Sequence, residues 1–246
     1  MENSSKRQKK DFGKQGIRIF KIERNYMNEK LLRLFEESEA VLFDMDGVVV
    51  DSDSMHDEAK KEAIRFCGVD LGNSDWEELR HHTSAHIYKR LLEKYPNIKV
   101  TEADFVARKS KIFAEIAPAK MQEVQGSFDF IKRLRGKGKK TALVTASRMD
   151  TLNIVAQKFN LKEYFDIVLS REDVENTKPD PEAYLKAAKL LYLEPRLCAV
   201  VEDSIPGIQS GKAAGCRVVG KITSKSEEIL LKAGADLVFE NYSELI

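Results

Sequence analysis

Ala40-Val41-Leu42-Phe43-Asp44-Met45-Asp46-Gly47-Val48-Val49-Val50-Asp51 is the stretch from which the fold is read. Four apolar residues run without interruption and end abruptly in two carboxylates. A short run that is apolar on both faces reads as a buried parallel strand, because helices cover both sides of its sheet. Asp44 and Asp46 stand two apart where the run stops, so their side chains project to the same side. Two carboxylates placed there repel one another and are costly to bury, which makes a purely structural role a poor account of them. A hard cation relieves the repulsion, and Mg2+ favours oxygen ligands of this kind. Gly47 then permits a sharp turn out of the strand.

The same kind of run recurs downstream at Ala142-Leu143-Val144, Ile167-Val168-Leu169, Cys198-Ala199-Val200-Val201, Arg217-Val218-Val219 and Leu237-Val238-Phe239. Helical patterns over Asp150 to Phe159, Pro181 to Leu191 and Ile208 to Ala214 fill the intervals and complete β-α-β units. The reading is α/β, a doubly wound parallel, Rossmann-like sheet. Residues 44–141 break this rhythm, being far longer than a crossover needs. From His56 to roughly Lys120 the pattern is helical and charged, which predicts a small helical cap inserted after the first strand. The expected organisation is a basic arm and helix over 1–38, a core formed by 39–54 and 122–246, and a cap over 55–121. An insert at the carboxyl end of a strand falls over the crevice where open α/β sheets bind ligands.

Lys and Arg number 41 against 40 Asp and Glu, a net charge of +1. No global field favours nucleic acid or an anionic membrane, so an anionic ligand must be held by a local site. The N-terminal residues Met1 to Lys10 are polar and basic, unlike a secretory signal or a membrane anchor. Cys67, Cys198 and Cys216 are widely spaced and odd in number, which argues against disulfides and zinc and for a reducing, cytoplasmic setting. The expected assembly is a monomer or a weak homo-oligomer.

Polar residues close the later runs as well. Thr145, Ala146 and Ser147 follow the second, Lys178 stands in Asn176-Thr177-Lys178-Pro179-Asp180-Pro181 ahead of a helix, and Glu202 with Asp203 ends the fourth. Singly, Thr145 reads as a helix N-cap, Lys178 as a loop charge and Glu202-Asp203 as a turn. Together they face one crevice, and the constellation carries the argument.

Asp44-x-Asp46-Gly47, Thr145, Lys178-Pro179 and Glu202-Asp203 resemble, in order, the four motifs of the haloacid dehalogenase-like superfamily. The likeness spans residues 40 to about 240, and the wording of the first and third motifs is nearest its β-phosphoglucomutase and phosphoglycolate phosphatase-like branch. That resemblance implies a four-helix cap and an Mg2+-dependent reaction on a small phosphorylated metabolite. It implies Asp44 as covalent nucleophile and Asp46 as acid and base. It implies Asp44, the Asp46 backbone carbonyl, Asp203 and Glu202 around the metal, and Thr145, Ala146, Ser147 and Lys178 around the phosphoryl group. On the cap, His56 falls near the hinge, and Leu79-Arg80-His81-His82-Thr83-Ser84 falls at the specificity loop. β-Phosphoglucomutases carry a phosphate-clamping arginine there. Ungapped placement puts Ser84 at that position, with Arg80 the nearest substitute and Lys109 a further candidate cation. Three functions are consistent with these residues: a phosphatase, placed first; a sugar phosphomutase sharing the same core; and, last, a catalytically silent binding module.

Overall fold

The structure, a computed structural model, describes residues 26–80 and 82–246; the basic leader and His81 lie outside the described residues. Six parallel strands form the sheet: β1 (Ala40–Phe43), β4 (Lys140–Val144), β5 (Ile167–Leu169), β6 (Cys198–Glu202), β7 (Arg217–Lys221) and β8 (Leu237–Phe239), in the order β5-β4-β1-β6-β7-β8. Strand β1 is central, with Ala40 level with Lys140 on one side and with Cys198 on the other.

Alternation along these strands divides the interior in two, because successive side chains leave opposite faces of a sheet. Val41, Phe43, Ala199, Val201 and Val219 join one core, packed under residues 26–37 (α1), α6 (Ser127–Gly136) and α7 (Met149–Phe159). Ala40, Leu42, Cys198, Val200 and Val218 join the other, under α8 (Glu182–Leu190), α9 (Ile205–Ala213) and α10 (Glu227–Ala233). This is the doubly wound sheet expected from the apolar runs. The second strand begins earlier than its apolar run, at Lys140. Thr141 there is fully buried because its backbone N–H reaches Asp166 Oδ2 (2.8 Å) and its hydroxyl the Tyr164 carbonyl (2.5 Å). Helices α6 and α10 are additional to the helical segments read from the sequence.

Between β1 and β4 the chain forms α2 (Asp53–Phe66), α3 (Asn73–Leu79), α4 (Ser84–Lys94) and α5 (Glu102–Lys120). Ala63, Ile64, Trp76, Leu79, Ile87, Leu91 and Phe105 give this segment a core of its own. It leaves through β2 (Val50–Asp51) and returns through β3 (Gln122–Glu123), and the two pair antiparallel. That small ribbon has no apolar signature, since Gln122 and Glu123 are both exposed. Among the described residues no helix is long and apolar enough to cross a membrane.

Helix α9 lies directly on the sheet at Gly211, where an added Cβ would stand 2.9 Å from Val218 Cγ2 and 3.2 Å from Val200 Cγ1. Gly211→Val should therefore lower the unfolding free energy by roughly 1–3 kcal/mol through overpacking. Gly136, with nothing within 4 Å of an added Cβ, is the contrast: Gly136→Ala should be neutral or stabilising by up to about 1 kcal/mol. Urea denaturation of the two variants checks both, and equal losses would show that the close contact at Gly211 is not what limits it.

Candidate active site

Each strand that ends near the middle of the sheet delivers a polar residue to the same crevice. Asp44 follows β1, Thr145 follows β4, and Glu202 closes β6 with Asp203 beyond it. One oxygen from each of Asp44, Glu202 and Asp203 lies within 4.8 Å of the others. Lys178, on the loop before α8, enters the group from the side. Its ammonium is 2.6 Å from Asp44 Oδ1, 2.6 Å from Glu202 Oε1 and 2.9 Å from the Val144 carbonyl. An ammonium has three protons to donate, and all three are spent here.

Glu202 is fully buried and its oxygens are taken. Oε1 also accepts from the Tyr184 hydroxyl (2.8 Å), and Oε2 accepts from the Ser204 hydroxyl (2.9 Å). Ser204 is the N-cap of α9 and accepts in turn from the Gly207 N–H (3.0 Å). A Cβ on residue 207 would fall 1.8 Å from Glu202 Oε1, so glycine there is what admits the carboxylate. Gly47 does the same for Asp203. Its φ of +75° is open to glycine at little cost, and a Cβ would stand 2.2 Å from Asp203 Oδ2. That oxygen also accepts from the Thr223 hydroxyl (2.7 Å).

Burial pushes Asp44 well above the usual carboxylate range; Lys178 opposes this, while Glu202, Asp203 and Asp46 add to it. Asp203 is raised to about 7 by burial and by Glu202. Lys178 is held charged. Burial alone would pull it down, but the carboxylates of Asp44 and Glu202 raise it well above its ordinary value. Three acids against one ammonium leave two negative charges when all are ionised. That surplus and an all-oxygen donor set fit a hard divalent cation such as Mg2+.

Asp46 is organised differently. The chain turns back after it, with the Gly47 N–H bonded to the Val50 carbonyl (2.9 Å), and the Asp46 carboxylate faces α2. Its Oδ1 accepts from the Ser52 hydroxyl and lies 3.3 Å from His56 Nε2, while Oδ2 accepts from the Ser147 hydroxyl (2.7 Å). Burial raises this carboxyl, but the hydrogen bonds from His56, Ser52 and Ser147 outweigh it and hold Asp46 below the usual range. His56 stacks on Phe113 (4.3 Å between ring centres), and its Nδ1 is 2.9 Å from the Lys109 ammonium. The ammonium can only donate, so Nδ1 accepts and the ring proton sits on Nε2, facing Asp46.

The residues read from the sequence are thus distributed unevenly. Asp44, Lys178, Glu202 and Asp203 meet directly, and Asp46, Ser147, His56 and Lys109 form a chain beside them. Thr145 is buried with its hydroxyl oxygen accepting from the Ser147 N–H (2.9 Å), and Ala146 lies exposed between the two. Arg80 points elsewhere, its guanidinium bound to Asp57 (2.6 Å) and Glu77 (3.3 Å). Tyr184, Ser52, Ser204 and Thr223 complete the site without having been singled out in the sequence. Tyr184 had only its place six residues after Lys178 to mark it, in a helix whose other inward residues are apolar.

A family model described as haloacid dehalogenase-like hydrolase matches residues 39–215. The phosphorylated carbohydrates phosphatase of Thermotoga maritima is 31% identical over 207 residues, covering 80% of this chain and 92% of that one. Hexitol phosphatase B of Escherichia coli is 28% identical over 187 residues, covering 73% and 82%. Among solved structures, a putative β-phosphoglucomutase from Thermotoga maritima superposes with a TM-score of 0.71 at 27% identity, over 84% of this chain and 96% of that one.

Removing the central ammonium should be costly whatever the reaction. Lys178→Met leaves Asp44 and Glu202 facing one another in a buried place, and breaking a buried pair in this way costs about 3–5 kcal/mol. Chemical denaturation measures it; a loss below about 1 kcal/mol would mean that the carboxylates rearrange or take up protons freely.

Proposed function

This chain belongs to the haloacid dehalogenase-like hydrolases, and on that premise we propose that it is an Mg2+-dependent phosphatase of a small phosphorylated carbohydrate, working through an aspartyl-phosphate on Asp44. The observation that carries the reading is the division of labour between two carboxylates two residues apart. Asp44 sits against the Lys178 ammonium among the acids, whereas Asp46 is held by hydroxyls and an imidazole. The names of the two curated relatives, both phosphatases of sugar-type esters, support the substrate class.

Asp44 and Asp203 would hold the cation, with the Asp46 backbone carbonyl beside them. When bound, Mg2+ supplies charge neutralisation to the acids and to the phosphoryl oxygens. Glu202, whose oxygens are already engaged, acts as the anchor for Lys178. In the first half-reaction an Asp44 oxygen forms a bond to phosphorus as the ester P–O bond breaks, and the leaving oxygen takes a proton from Asp46. In the second, water attacks phosphorus, Asp46 takes its proton, and the Asp44–phosphorus bond breaks to release inorganic phosphate. Because His56, Ser52 and Ser147 favour the ionised carboxylate, they suit Asp46 to the second half-reaction, in which it would act as the base. The first half requires Asp46 to be released from these partners and protonated. Thr145 and the loop at Ala146 and Ser147 would supply donors to the phosphoryl oxygens, and Lys178 would reach them by giving up one of its present contacts.

The helical segment α2–α5 would act as the cap, delivering Ser52 and His56 to Asp46 and closing over the substrate. If a second hydroxyl of the substrate replaced water, the same steps would make a mutase. The engagement of Arg80 by Asp57 argues against that role, since it removes the guanidinium from service as a phosphate clamp.

Phosphate release from sugar monophosphates, with Mg2+ present and after its removal by a chelator, is the test. Turnover should vanish with the chelator and return with added Mg2+. Asp44→Asn should lower it by roughly a thousand-fold or more, and Asp46→Asn by about 10²–10⁴. Wild-type-like release by Asp44→Asn would eliminate the covalent route. With β-glucose 1-phosphate and a trace of glucose 1,6-bisphosphate, formation of glucose 6-phosphate without free phosphate would make the enzyme a mutase instead.

A further inference from the structure

Strand β7 closes on a lysine, after Val218, Val219 and Gly220. Lys221 is only 5% exposed, and lysine is almost never buried to that extent without a paired charge. Its ammonium donates to the Ile222 carbonyl (2.8 Å) and lies 5.8 Å from the centre of the Phe239 ring, and it closes no ion pair among the described residues. The register of the sheet places this charge. Glu202 on β6 is level with Gly220 on β7, so Asp203, the next residue, falls beside Lys221. Val201 and Val219 share one core, and alternation sends the residues two places beyond them, Asp203 and Lys221, from that same face. The chain just after β7 does reach this carboxylate, since the Thr223 hydroxyl donates to Asp203 Oδ2 (2.7 Å). Burial lowers the ammonium from its ordinary value. Asp203 leads the charges that oppose this, followed by Glu240 and Glu244. Of the three, Asp203 alone belongs to the acid cluster of the crevice. Lys178 touches its acids directly; Lys221 stands behind one of them and acts on it through its field.

We propose that Lys221 sets the divalent-cation affinity of the crevice: its charge beside Asp203 opposes the cation, so that Mg2+ is held less tightly than the three carboxylates and Lys178 alone would hold it. This rests on reading Asp44, Glu202 and Asp203 as the cation site of a phosphoryl-transfer centre. Lys221 touches neither the cation nor the ester. The Mg2+ concentration at which the site is half-filled then depends on β7 as well as on the acids.

Titration calorimetry of Mg2+ into the full chain tests this without turnover, at about pH 8, above the value of about 7 to which Asp203 is raised. Lys221→Met and Lys221→Gln both remove the charge, the first offering an apolar chain to Phe239 and the second keeping a donor for the Ile222 carbonyl. Both should bind Mg2+ about ten-fold tighter than the unaltered chain, and Lys221→Arg should stay within about three-fold of it. Asp203→Asn added to Lys221→Gln should abolish the gain. Affinity unchanged or weakened in Lys221→Gln would overturn the proposal whatever Lys221→Met does, as would an equal gain in Lys221→Arg or a gain that survives Asp203→Asn. Phosphate release from p-nitrophenyl phosphate by the unaltered chain reports separately on the phosphatase chemistry. Its absence alongside the expected order of affinities would condemn that chemistry and support the role of Lys221; release with equal affinities would do the reverse.

Discussion

Three carboxylates, Asp44 after β1 with Glu202 and Asp203 at the end of β6, converge where two neighbouring strands finish, and the ammonium of Lys178 allows them to do so. Without it, two buried negative charges would face each other across the central strand pair. Much of the surrounding sequence can be understood as support for that contact. Tyr184 and Ser204 satisfy the lone pairs of Glu202 that Lys178 leaves, Gly207 makes room for the carboxylate, and the Val144 carbonyl takes the third ammonium proton. A fully satisfied polar network in a low-dielectric place is rigid, and a partly satisfied one is expensive.

Asp46 belongs to a second constraint. Its carboxylate is held at once by Ser147, from the loop after β4, and by Ser52 and His56, from the start of α2. The sheet and the helical segment therefore share one functional group. Any displacement of α2 relative to the sheet changes the surroundings of Asp46 before it changes those of Asp44. The two carboxylates are thereby placed under different mechanical control, although they are two residues apart in the chain.

The apolar strands were legible because parallel strands buried on both faces leave uninterrupted runs, and their carboxyl ends could be found by seeing where each run stopped. Asp44, Lys178, Glu202 and Asp203 came from that reading together with the family resemblance. Less legible was whatever depends on partners distant in sequence. Thr141 is polar yet sits inside β4 because Asp166 and Tyr164 satisfy it. Arg80 looked available to a ligand, and only the fold shows Asp57 claiming it. Lys109 read only as a candidate cation on the cap until α5 placed it against His56. The β2–β3 ribbon, two residues a side and polar on its returning arm, leaves no periodic trace.

The central position of β1 has a consequence for synthesis. Ala40 is level with Lys140 on one side and Cys198 on the other, partners 100 and 158 residues later in the chain (140 − 40 and 198 − 40). At typical rates of about 5–20 residues per second this fully buried strand leaves the ribosome seconds before its first neighbour and longer before its second. During that interval both of its edges are open, and the helical segment, complete by Lys120, has a core of its own that does not depend on the sheet strands. The acids of the crevice remain apart until β6 arrives, so the charge cluster has no counterpart in the chain before Asp203 has been made.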